Sequence, residues 1–249
     1  MISHKHKVIF IHIPKCAGSS VESYFGVKPF NWEKPNYETL TGWCPERKIH
    51  LHHATASQLL DLELVSKETW DEYYKFAIVR NPWSRAMSDY YWVQKDCKVR
   101  GTFSNFIHKH APFKKYLSYP AKDKHFRGDH LYTQSSYVKC KDGNLLVDEV
   151  IKFENLRSEF KGICEKLDLP SSKLPHKKKR SKKRFDHYSH FFCQKKQKLI
   201  SEKYKEDIIS FGYQFDNRNK QKNILQSLKY SLVQLYDCSQ RGYYRHFKG

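Results

Sequence analysis

The feature that most constrains the fold of this chain is a short apolar run followed at once by a turn, near the start of the sequence. Val8–Ile11 are branched or aromatic without interruption, and Pro14 follows shortly after them. A run of this length, bounded by proline, predicts a buried strand. Lys15, Gly18 and two serines come next and predict a tight turn that leads into a helix. Residues 7–25 are therefore expected to form a strand–turn–helix unit.

Such a unit points several backbone N–H groups at one place, which is a common way for proteins to bind phosphate. Lys15 adds a full positive charge, and Ser19 and Ser20 add hydroxyl donors. The turn is not a Walker A loop, because there the lysine directly follows the last glycine, whereas Lys15 precedes Gly18. The segment therefore predicts an anion site that differs from that of the common ATPases.

Length and composition favour one globular domain. The chain has 249 residues, of which 39% are hydrophobic and 15% aromatic, and this excludes wholesale disorder. The net charge of +20 predicts an anionic partner. No apolar run is long enough to span a membrane, and the first one lacks the cleavage site of a signal peptide. We expect a cytoplasmic protein, with the Golgi lumen as its location only if an N-terminal anchor has been removed.

Seven cysteines are scattered along the chain, and none forms a C-x-x-C pair. Such a set is typical of reduced, structural thiols. Cys16 lies inside the predicted turn, where either a thiol of lowered pKa or simply a small residue fits, and we favour the second interpretation. Cys44 precedes a group of histidines, but their spacing matches no usual zinc site, and we predict that no metal is bound.

After the strand–turn–helix of residues 7–25, short apolar segments rich in β-branched residues alternate with helical patterns. Strands are predicted at 7–13, 75–80 and 147–153, and helices at 18–25, 55–63, 83–96, 102–110, 155–168 and 194–211. This alternation favours an α/β fold with a central parallel sheet flanked by helices. Ligands of such sheets bind at the carboxyl ends of the strands, so the residues that follow the first two strands are expected to face one crevice.

Three segments stand apart from this pattern. Residues 111–128 have no periodicity and predict a long surface loop, whereas 177–184 are almost entirely Lys or Arg. Residues 222–237 place aliphatic side chains on one helical face, which we expect to pack on the domain or on a partner, with peripheral contact to an anionic membrane as the alternative. The expected division is an α/β domain over 1–217 and a C-terminal helical extension over 218–249.

A second candidate for phosphate binding begins where the second predicted strand ends. Arg80 closes that strand, Pro82 starts a helix, and Ser88 follows on the same helix. The planar guanidinium of arginine makes bidentate bonds to phosphate oxygens, and Ser88 adds a hydroxyl. An arginine at a strand end is usually a surface ion pair when it stands alone. Two such motifs in this order favour one shared site for a nucleotide.

The two motifs resemble those of a known enzyme family. HIPKCAGSS (12–20) is similar to the 5′-phosphosulfate loop of the sulfotransferases that use PAPS, 3′-phosphoadenosine 5′-phosphosulfate, and VRNPWSRAMSDYY (79–91) is similar to their 3′-phosphate motif. The carbohydrate sulfotransferases, including heparan 2-O-sulfotransferase-like and bacterial members, are the branch that the chain most resembles. The resemblance implies a P-loop-like three-layer fold. It continues through further segments, which are 52–56, 152–156, 174–176 and 204–215, with Gln134, Ser135 and Ser136 as a less specific mark.

The resemblance also implies a role for each matching residue. Lys15 would hold the 5′-phosphosulfate and stabilise charge on the leaving phosphate oxygen, while Arg80 and Ser88 would bind the 3′-phosphate that distinguishes PAPS from other adenine nucleotides. The reaction would be an in-line displacement at sulfur by an acceptor hydroxyl, which needs positioning, charge stabilisation and a base but no metal. The remaining loop residues would cradle the 5′-phosphate, and they are Cys16, Ala17, Gly18, Ser19 and Ser20.

The predicted base is a histidine, because the ordinary pKa of its side chain is near neutrality. In the family the base lies in a histidine-rich turn before a helix, and His53 matches that place best. His52 is the second candidate and His50 the third. If this segment is extended, His50 and His52 share one face and His53 lies on the other, so that only one side faces the cleft. A hydrogen-bonded structural histidine is the alternative.

The expected acceptor is a hydroxyl of a carbohydrate, and the net charge of +20 fits an anionic sugar polymer. We expect no specific nucleic acid, and the sequence does not fix the oligomeric state. The basic run 177–184 has three interpretations: a solvated loop, a cover for the nucleotide or an acidic acceptor, and a nucleic-acid or nuclear-targeting patch. The family predicts a polar mixture of Asn and Ser there, so the chain departs from the pattern in this run.

Two other functions compete with sulfuryl transfer. A nucleotide or nucleoside kinase needs an acidic Mg²⁺ ligand at a strand end, and Glu154 is the candidate, since Asp148 and Glu149 open a strand. A non-enzymatic binder of RNA or DNA would use the positive charge and the aromatic residues, and its binding would depend steeply on salt.

Overall fold

The structure is a computed structural model that describes residues 1–118, 123–170, 174, 185–219 and 224–233. The strands are β1 (Ile2–Ser3), β2 (Val8–Ile11), β3 (Trp43–Cys44), β4 (Ile49–His50), β5 (Tyr74–Val79) and β6 (Glu149–Lys152). The helices are α1 (Gly18–Tyr24), α2 (Ala56–Asp61), α3 (Lys67–Glu72), α4 (Pro82–Asp96), α5 (Phe103–Ile107), α6 (Lys114–Leu117), α7 (Ser135–Val138), α8 (Leu156–Lys166), α9 (Gln194–Lys203) and α10 (Lys205–Ser210), followed by α11 (224–233). Short 3₁₀ helices cover His4–His6, Leu51–His53, Gly128–Leu131, Phe153–Asn155 and Tyr188–Phe191.

The chain divides into two compact units. The first unit contains the strands β1–β6 together with α1–α3, α7 and α8, and the second contains α4–α6 and α9–α11. The expected boundary between residues 217 and 218 stays a prediction. The first unit comprises Met1–Arg80, Pro120–Lys124 and Tyr132–Lys179, and the second comprises Asn81–Tyr119, His125–Leu131 and Arg180–Gly249.

A four-stranded sheet in the order β1-β2-β5-β6 organises the first unit. The strands β2, β5 and β6 are parallel, with Phe10 opposite Phe76 and Ile78 opposite Ile151. β1 adds an antiparallel edge, and β3 and β4 form a separate two-stranded ribbon; the sequence patterns did not predict these three short strands. The three predicted parallel strands and the α/β fold class are confirmed.

Aromatic side chains join the helices of the first unit to its sheet. The ring of Phe76 on β5 lies 5.0 Å from that of Phe10 and 6.2 Å from that of Phe160 on α8. Phe25, directly after α1, lies 6.3 Å from Phe76. Burial of several large aromatic rings supplies most of the stabilisation of such a core. The core therefore holds the C-terminal end of α1 against the sheet, and the predicted anion-binding turn precedes the other end of this helix.

The second unit is built around α4, whose inner face carries Tyr90. Its ring lies 5.4 Å from Phe103 and 5.9 Å from Phe191. The same helix buries Arg85 and Asp89, both close to fully excluded from solvent. The nearly complete burial of these charged side chains requires paired partners, since an isolated buried charge is strongly destabilising.

Three expectations about the outer segments are wrong in part. Residues 111–128 are not only a surface loop, because they include α6 and the fully buried Leu117. The single helix predicted at 194–211 is two helices, because Tyr204 leaves helical geometry with φ −112° and ψ 32°. The aliphatic face of α11 does not pack inward: Ile224, Leu225, Leu228 and Leu232 are all more than half exposed.

Several expectations concern residues outside the described part of the chain. These are the basic run 177–184, most of the segment 174–176, Leu235 and Cys238. The six cysteines in the described part carry free thiols. Within that part, no helix combines the length and apolarity that a membrane crossing requires.

A capping box at the start of α2 should be a measurable part of the stability of the first unit. The Thr55 hydroxyl accepts a hydrogen bond from the Gln58 N–H at 3.1 Å, and the Gln58 side chain accepts one from the Thr55 N–H at 3.0 Å. We expect Thr55→Ala to lower the free energy of unfolding by about 1 kcal/mol in urea titrations. Thr55→Ser keeps the hydroxyl and should retain most of this free energy. Equal losses of unfolding free energy in the two variants would contradict the capping role.

Candidate functional site

The turn after β2 has the backbone geometry of an anion-binding loop. Lys15 and Ala17 adopt positive φ angles of 67° and 65°, a left-handed conformation that is uncommon for non-glycine residues. Alternation of left-handed and right-handed residues turns successive N–H groups toward one point. The described backbone offers no carbonyl acceptor to the N–H groups of Ala17, Gly18 and Ser19. These three donors and the Lys15 side chain can therefore converge on an anion.

Other loop groups are already used within the loop. The Cys16 N–H donates to the carbonyl of Ile13 at 3.3 Å, and the Ser20 N–H donates to that of Ala17 at 2.8 Å. Cys16 is completely buried, so its thiol is not exposed for reaction. The helix α1 has only seven residues, and the loop rather than a long helix dipole must provide the attraction for an anion.

Arg80 lies at the carboxyl end of β5, beside the loop. Its Nη1 donates to the carbonyl oxygen of Lys15 at 3.1 Å. The guanidinium lies 4.5 Å from the centre of the Phe153 ring, which follows β6, and this cation–π contact orients its plane. Because the strands are parallel, their carboxyl ends meet at one edge of the sheet, as predicted for the crevice. The structure brings Lys15 and Arg80 together.

Gln134 connects both motifs through its carboxamide. Its Oε1 accepts from the Arg80 N–H at 2.7 Å, and its Nε2 donates to the Arg80 carbonyl at 2.8 Å. The Cys16 thiol lies 3.5 Å from the same Oε1. Gln134 is completely buried, and loss of its carboxamide would leave buried backbone groups without partners. The sequence marked this residue only as a weak family feature, and its positioning role is visible in the structure alone.

Ser88 is half-buried on α4 in the second unit, whereas Arg80 ends the first unit. The joint binding of a 3′-phosphate by Arg80 and Ser88 stays a prediction.

A buried carboxylate supports the loop from beneath. Glu22 on α1 is fully buried, and its Oε1 lies 2.7 Å from Nδ1 of His12, while its Oε2 lies 3.0 Å from Nζ of Lys28. Burial favours the neutral carboxyl, but the charge and hydrogen bond of His12 and the charge of Lys28 outweigh it and hold the pKa of Glu22 below its usual range. Lys28 also donates to the hydroxyl of Ser19 at 3.1 Å.

Gly18 is required at its position by close contact with His12. A Cβ at residue 18 would lie 1.9 Å from Nε2 of the His12 ring. Any side chain there would displace the imidazole, which is held on its other side by Glu22. His12, Glu22 and Lys28 were not predicted as site residues. Glu22 could have been found from the sequence, because it is an ionisable residue on the inward face of a predicted helix.

The histidines of the predicted base group lie together beside His12. The ring of His53 is 4.5 Å from that of His12 and 4.3 Å from that of His52, and the ring of His50 is 5.4 Å from that of His52. The segment Leu51–His53 is a 3₁₀ helix rather than an extended strand. The separation of His52 and His53 onto opposite faces was expected only for an extended segment; in this 3₁₀ turn that condition does not hold, and the two rings lie 4.3 Å apart.

His53 and His52 differ in how their rings are held. Nδ1 of His53 donates to the carbonyl oxygen of His12 at 3.0 Å, a bond that leaves the basic lone pair on Nε2. For His52, burial and the neighbouring imidazoles hold the pKa well below its usual value, so this ring is neutral at pH 7. His52 Nδ1 is buried without a hydrogen-bond partner among the described atoms. A general base needs a basic lone pair, which His53 has on Nε2, and a neutral ring, which His52 has at pH 7.

The acidic residues considered for a Mg²⁺ ligand lie at the two ends of β6. Asp148 accepts from the Lys75 N–H at 2.7 Å, and Glu149 accepts from the hydroxyl of Tyr74; both carboxylates lie near the start of β6. Glu154 lies in the 3₁₀ turn after that strand. Among the described residues, no group of three or more His, Cys, Asp or Glu side chains is arranged to hold a metal ion.

The Glu22 pair should dominate the acid sensitivity of the first unit. Because the folded pKa is lowered, this carboxylate stabilises the fold above its unfolded pKa of about 4.3, and the contribution is lost as the pH falls toward the folded value. In urea titrations at pH 7, we expect Glu22→Gln to lower the free energy of unfolding by about 3 kcal/mol. The difference in unfolding free energy between wild type and variant should become smaller below pH ~4.

Glu33→Gln is the matched control, because Glu33 pairs with Lys124 at an exposed position. Its effect should stay below about 1 kcal/mol at either pH. A Glu22→Gln protein as stable as the wild type at pH 7 would show that the buried pair does not support the fold.

Comparison with known proteins confirms the family that the sequence resembles. The model of the Sulfotransferase family matches residues 1–214. A search of curated proteins gives no match for this chain. Among solved structures, the chain is similar to a sulfotransferase from Alicyclobacillus acidocaldarius, with 15% sequence identity and a TM-score of 0.42, over 84% of this chain and 96% of that one. Because the family match covers most of the 249 residues, we conclude that this chain belongs to the sulfotransferase family.

Proposed function

We propose that this protein transfers the sulfuryl group of PAPS to a hydroxyl of a carbohydrate. The observation that carries the proposal is the hydrogen bond from Arg80 Nη1 to the Lys15 carbonyl, at 3.1 Å. It puts an arginine fork beside a loop with three N–H donors that lack backbone acceptors. PAPS carries phosphate at both the 5′ and the 3′ position, and two adjacent cationic sites suit such a ligand.

At the donor end, the loop acts on the phosphate that leaves. The N–H groups of Ala17, Gly18 and Ser19, together with Lys15, would bind its oxygens. As the bond from sulfur to the bridging oxygen breaks, negative charge grows on that oxygen. Preorganised donors stabilise such a charge more than they stabilise the ground state, and this lowers the barrier.

At the acceptor end, His53 would remove the proton. The acceptor oxygen attacks sulfur opposite the leaving oxygen, a new S–O bond forms, and the hydroxyl proton passes to Nε2 of His53. The His12 carbonyl holds the other ring nitrogen in its N–H form. His52 is the second candidate for the base, because its lowered pKa keeps it neutral.

The acceptor is proposed from chemistry rather than from contacts. The net charge of +20 would attract an anionic sugar polymer as well as the nucleotide. Of the two competing functions, the kinase depends on Glu154 as its acidic Mg²⁺ ligand, because Asp148 and Glu149 lie at the start of β6 and are engaged by Lys75 and Tyr74.

The nucleotide preference tests the donor site. We expect calorimetric titration to show that wild-type protein binds adenosine 3′,5′-bisphosphate more tightly than AMP or ATP–Mg²⁺. Arg80→Ala should weaken bisphosphate binding about 30-fold and leave AMP binding nearly unchanged, because it removes charge-assisted bonds to the 3′-phosphate alone. Lys15→Ala should lower turnover about 10²–10³-fold.

Arg157→Ala is the matched control, because this exposed arginine on α8 carries the same charge outside the site. Equal weakening by Arg80→Ala and Arg157→Ala would indicate a general polyanion surface. Tight ATP–Mg²⁺ binding with phosphate transfer would favour the kinase.

Single substitutions identify the base. His53→Ala should lower kcat about 10²–10⁴-fold while the affinity for the bisphosphate stays within about twofold, because the base acts on the acceptor and not on the nucleotide. If His53→Ala retains turnover and His52→Ala loses it, the base is His52. In that case the acidic limb of the pH–rate profile should lie well below pH 6.5, since the pKa of His52 is lowered.

A further inference from the structure

The helix α11 presents its aliphatic side chains to solvent. Ile224, Leu225, Leu228 and Leu232 are 80%, 78%, 59% and 66% exposed. At the helical spacing of their positions, the four side chains fall within one stripe about 100° wide, which is called the apolar stripe below. Single exposed leucines are common on protein surfaces, but a contiguous patch of large aliphatic side chains marks an interaction surface.

Tyr230 anchors the opposite side of the same helix. It is only 2% exposed, and its ring lies 5.1 Å from that of Phe185 and 4.9 Å from that of His190. Its hydroxyl donates to the carboxylate of Asp186, and the side chain of Gln226 donates to the same carboxylate at 3.3 Å. The inner side of α11 is therefore already packed, and the apolar stripe cannot turn inward unless these contacts break.

The sequence around the apolar stripe is basic. Residues 219–236 contain three lysines and no acidic residue. One of these lysines, Lys229, is exposed on α11 itself, at the edge of the apolar stripe. The basic run 177–184 directly precedes Phe185 in the sequence, and the Phe185 ring packs against this helix. An aliphatic face bordered by lysines is typical of helices that lie in the interface of an anionic membrane.

We propose that α11 lies on the surface of an anionic lipid bilayer. The apolar stripe enters the boundary between headgroups and acyl chains, and Lys229 stays at the level of the lipid phosphates. Burial of four aliphatic side chains on a short helix gives only marginal, reversible attachment, so a second attraction is needed. The lysines supply it when the lipids carry negative charge, and the two contributions together select an anionic bilayer as the partner.

A second copy of this chain fits the apolar stripe less well than a bilayer does. A stable protein interface buries about 800 Å² on each partner and involves about 20–30 residues a side. The apolar stripe offers four side chains on a helix of ten residues. Two copies joined through α11 would also bring their lysines together, and juxtaposed like charges oppose association. An anionic bilayer requires less protein surface and attracts the same lysines.

Co-sedimentation of the full chain with lipid vesicles tests the proposal without any activity measurement. One set of vesicles is pure phosphatidylcholine, and the other contains about 30% phosphatidylglycerol, which supplies the negative surface charge. We expect the protein to bind the anionic vesicles with a Kd of about 0.1 mM accessible lipid, and the neutral vesicles about tenfold more weakly. Binding to the anionic vesicles should weaken as the salt concentration rises, because salt screens the lysines.

Substitutions at exposed positions separate the two contributions and leave the packed side of α11 intact. Leu228→Gln should weaken binding to anionic vesicles about tenfold, because it removes one aliphatic side chain from the apolar stripe. Leu228→Phe keeps an apolar side chain and should bind as tightly as the wild type. Lys229→Gln should weaken binding about fivefold. The matched controls are Ile209→Gln on α10 and Lys161→Gln on α8, which change exposed residues outside α11 and should leave binding nearly unchanged.

Three outcomes would overturn the proposal. The first is equal binding to neutral and anionic vesicles, or binding to neither. The second is a Leu228→Gln protein that binds anionic vesicles as tightly as the wild type, which would mean that positive charge acts alone and the apolar stripe stays outside the bilayer. The third comes from sedimentation velocity without lipid: a wild-type dimer that becomes a monomer in Leu228→Gln would mean that a second copy covers the apolar stripe.

Discussion

The buried charge of Glu22 is the constraint on which the candidate site depends. A carboxylate without solvent is tolerated only when hydrogen-bond donors or cations surround it, so His12 at the end of β2 and Lys28 beyond α1 must both reach it. Each partner then positions a second group: the His12 carbonyl orients His53, and the Lys28 ammonium holds the hydroxyl of Ser19. One side chain thereby links the strand end, the anion-binding loop and the histidine turn.

The sequence patterns predicted the strands that are determined by the residues of the segment itself. The run Val8–Ile11 and the residues 76–79 are apolar over their whole length because parallel strands are covered on both faces, and this pattern is readable in a single sequence. Once the strands are parallel, Lys15 and Arg80 must lie at the same edge of the sheet. The contact between them follows from the strand pattern, and the structure confirms that the two residues meet.

Contacts between distant residues were not predictable in the same way. Analysis of hydrophobic periodicity assigns a charged residue within a helix to the exposed face. It therefore misses Glu22, although this side chain is 0% exposed. The opposite placement of His52 and His53 was expected only if their segment were extended, and its 3₁₀ geometry instead leaves the two rings 4.3 Å apart. Gln134 was only a weak mark of the family in the sequence, because its positioning role depends on hydrogen bonds to the backbone of Arg80, 54 residues away along the chain.

The Gln134 carboxamide has a consequence for the order of folding. It contacts the Cys16 thiol across a separation of 118 residues and the backbone of Arg80 across 54. The loop closure that brings these segments together is entropically costly and must precede the contact. During synthesis, β2 and the loop after it emerge from the ribosome long before the glutamine that completes their surroundings. The proposed affinity for a nucleotide would thus require the chain at least as far as Gln134, and nascent fragments that end before residue 134 should lack it.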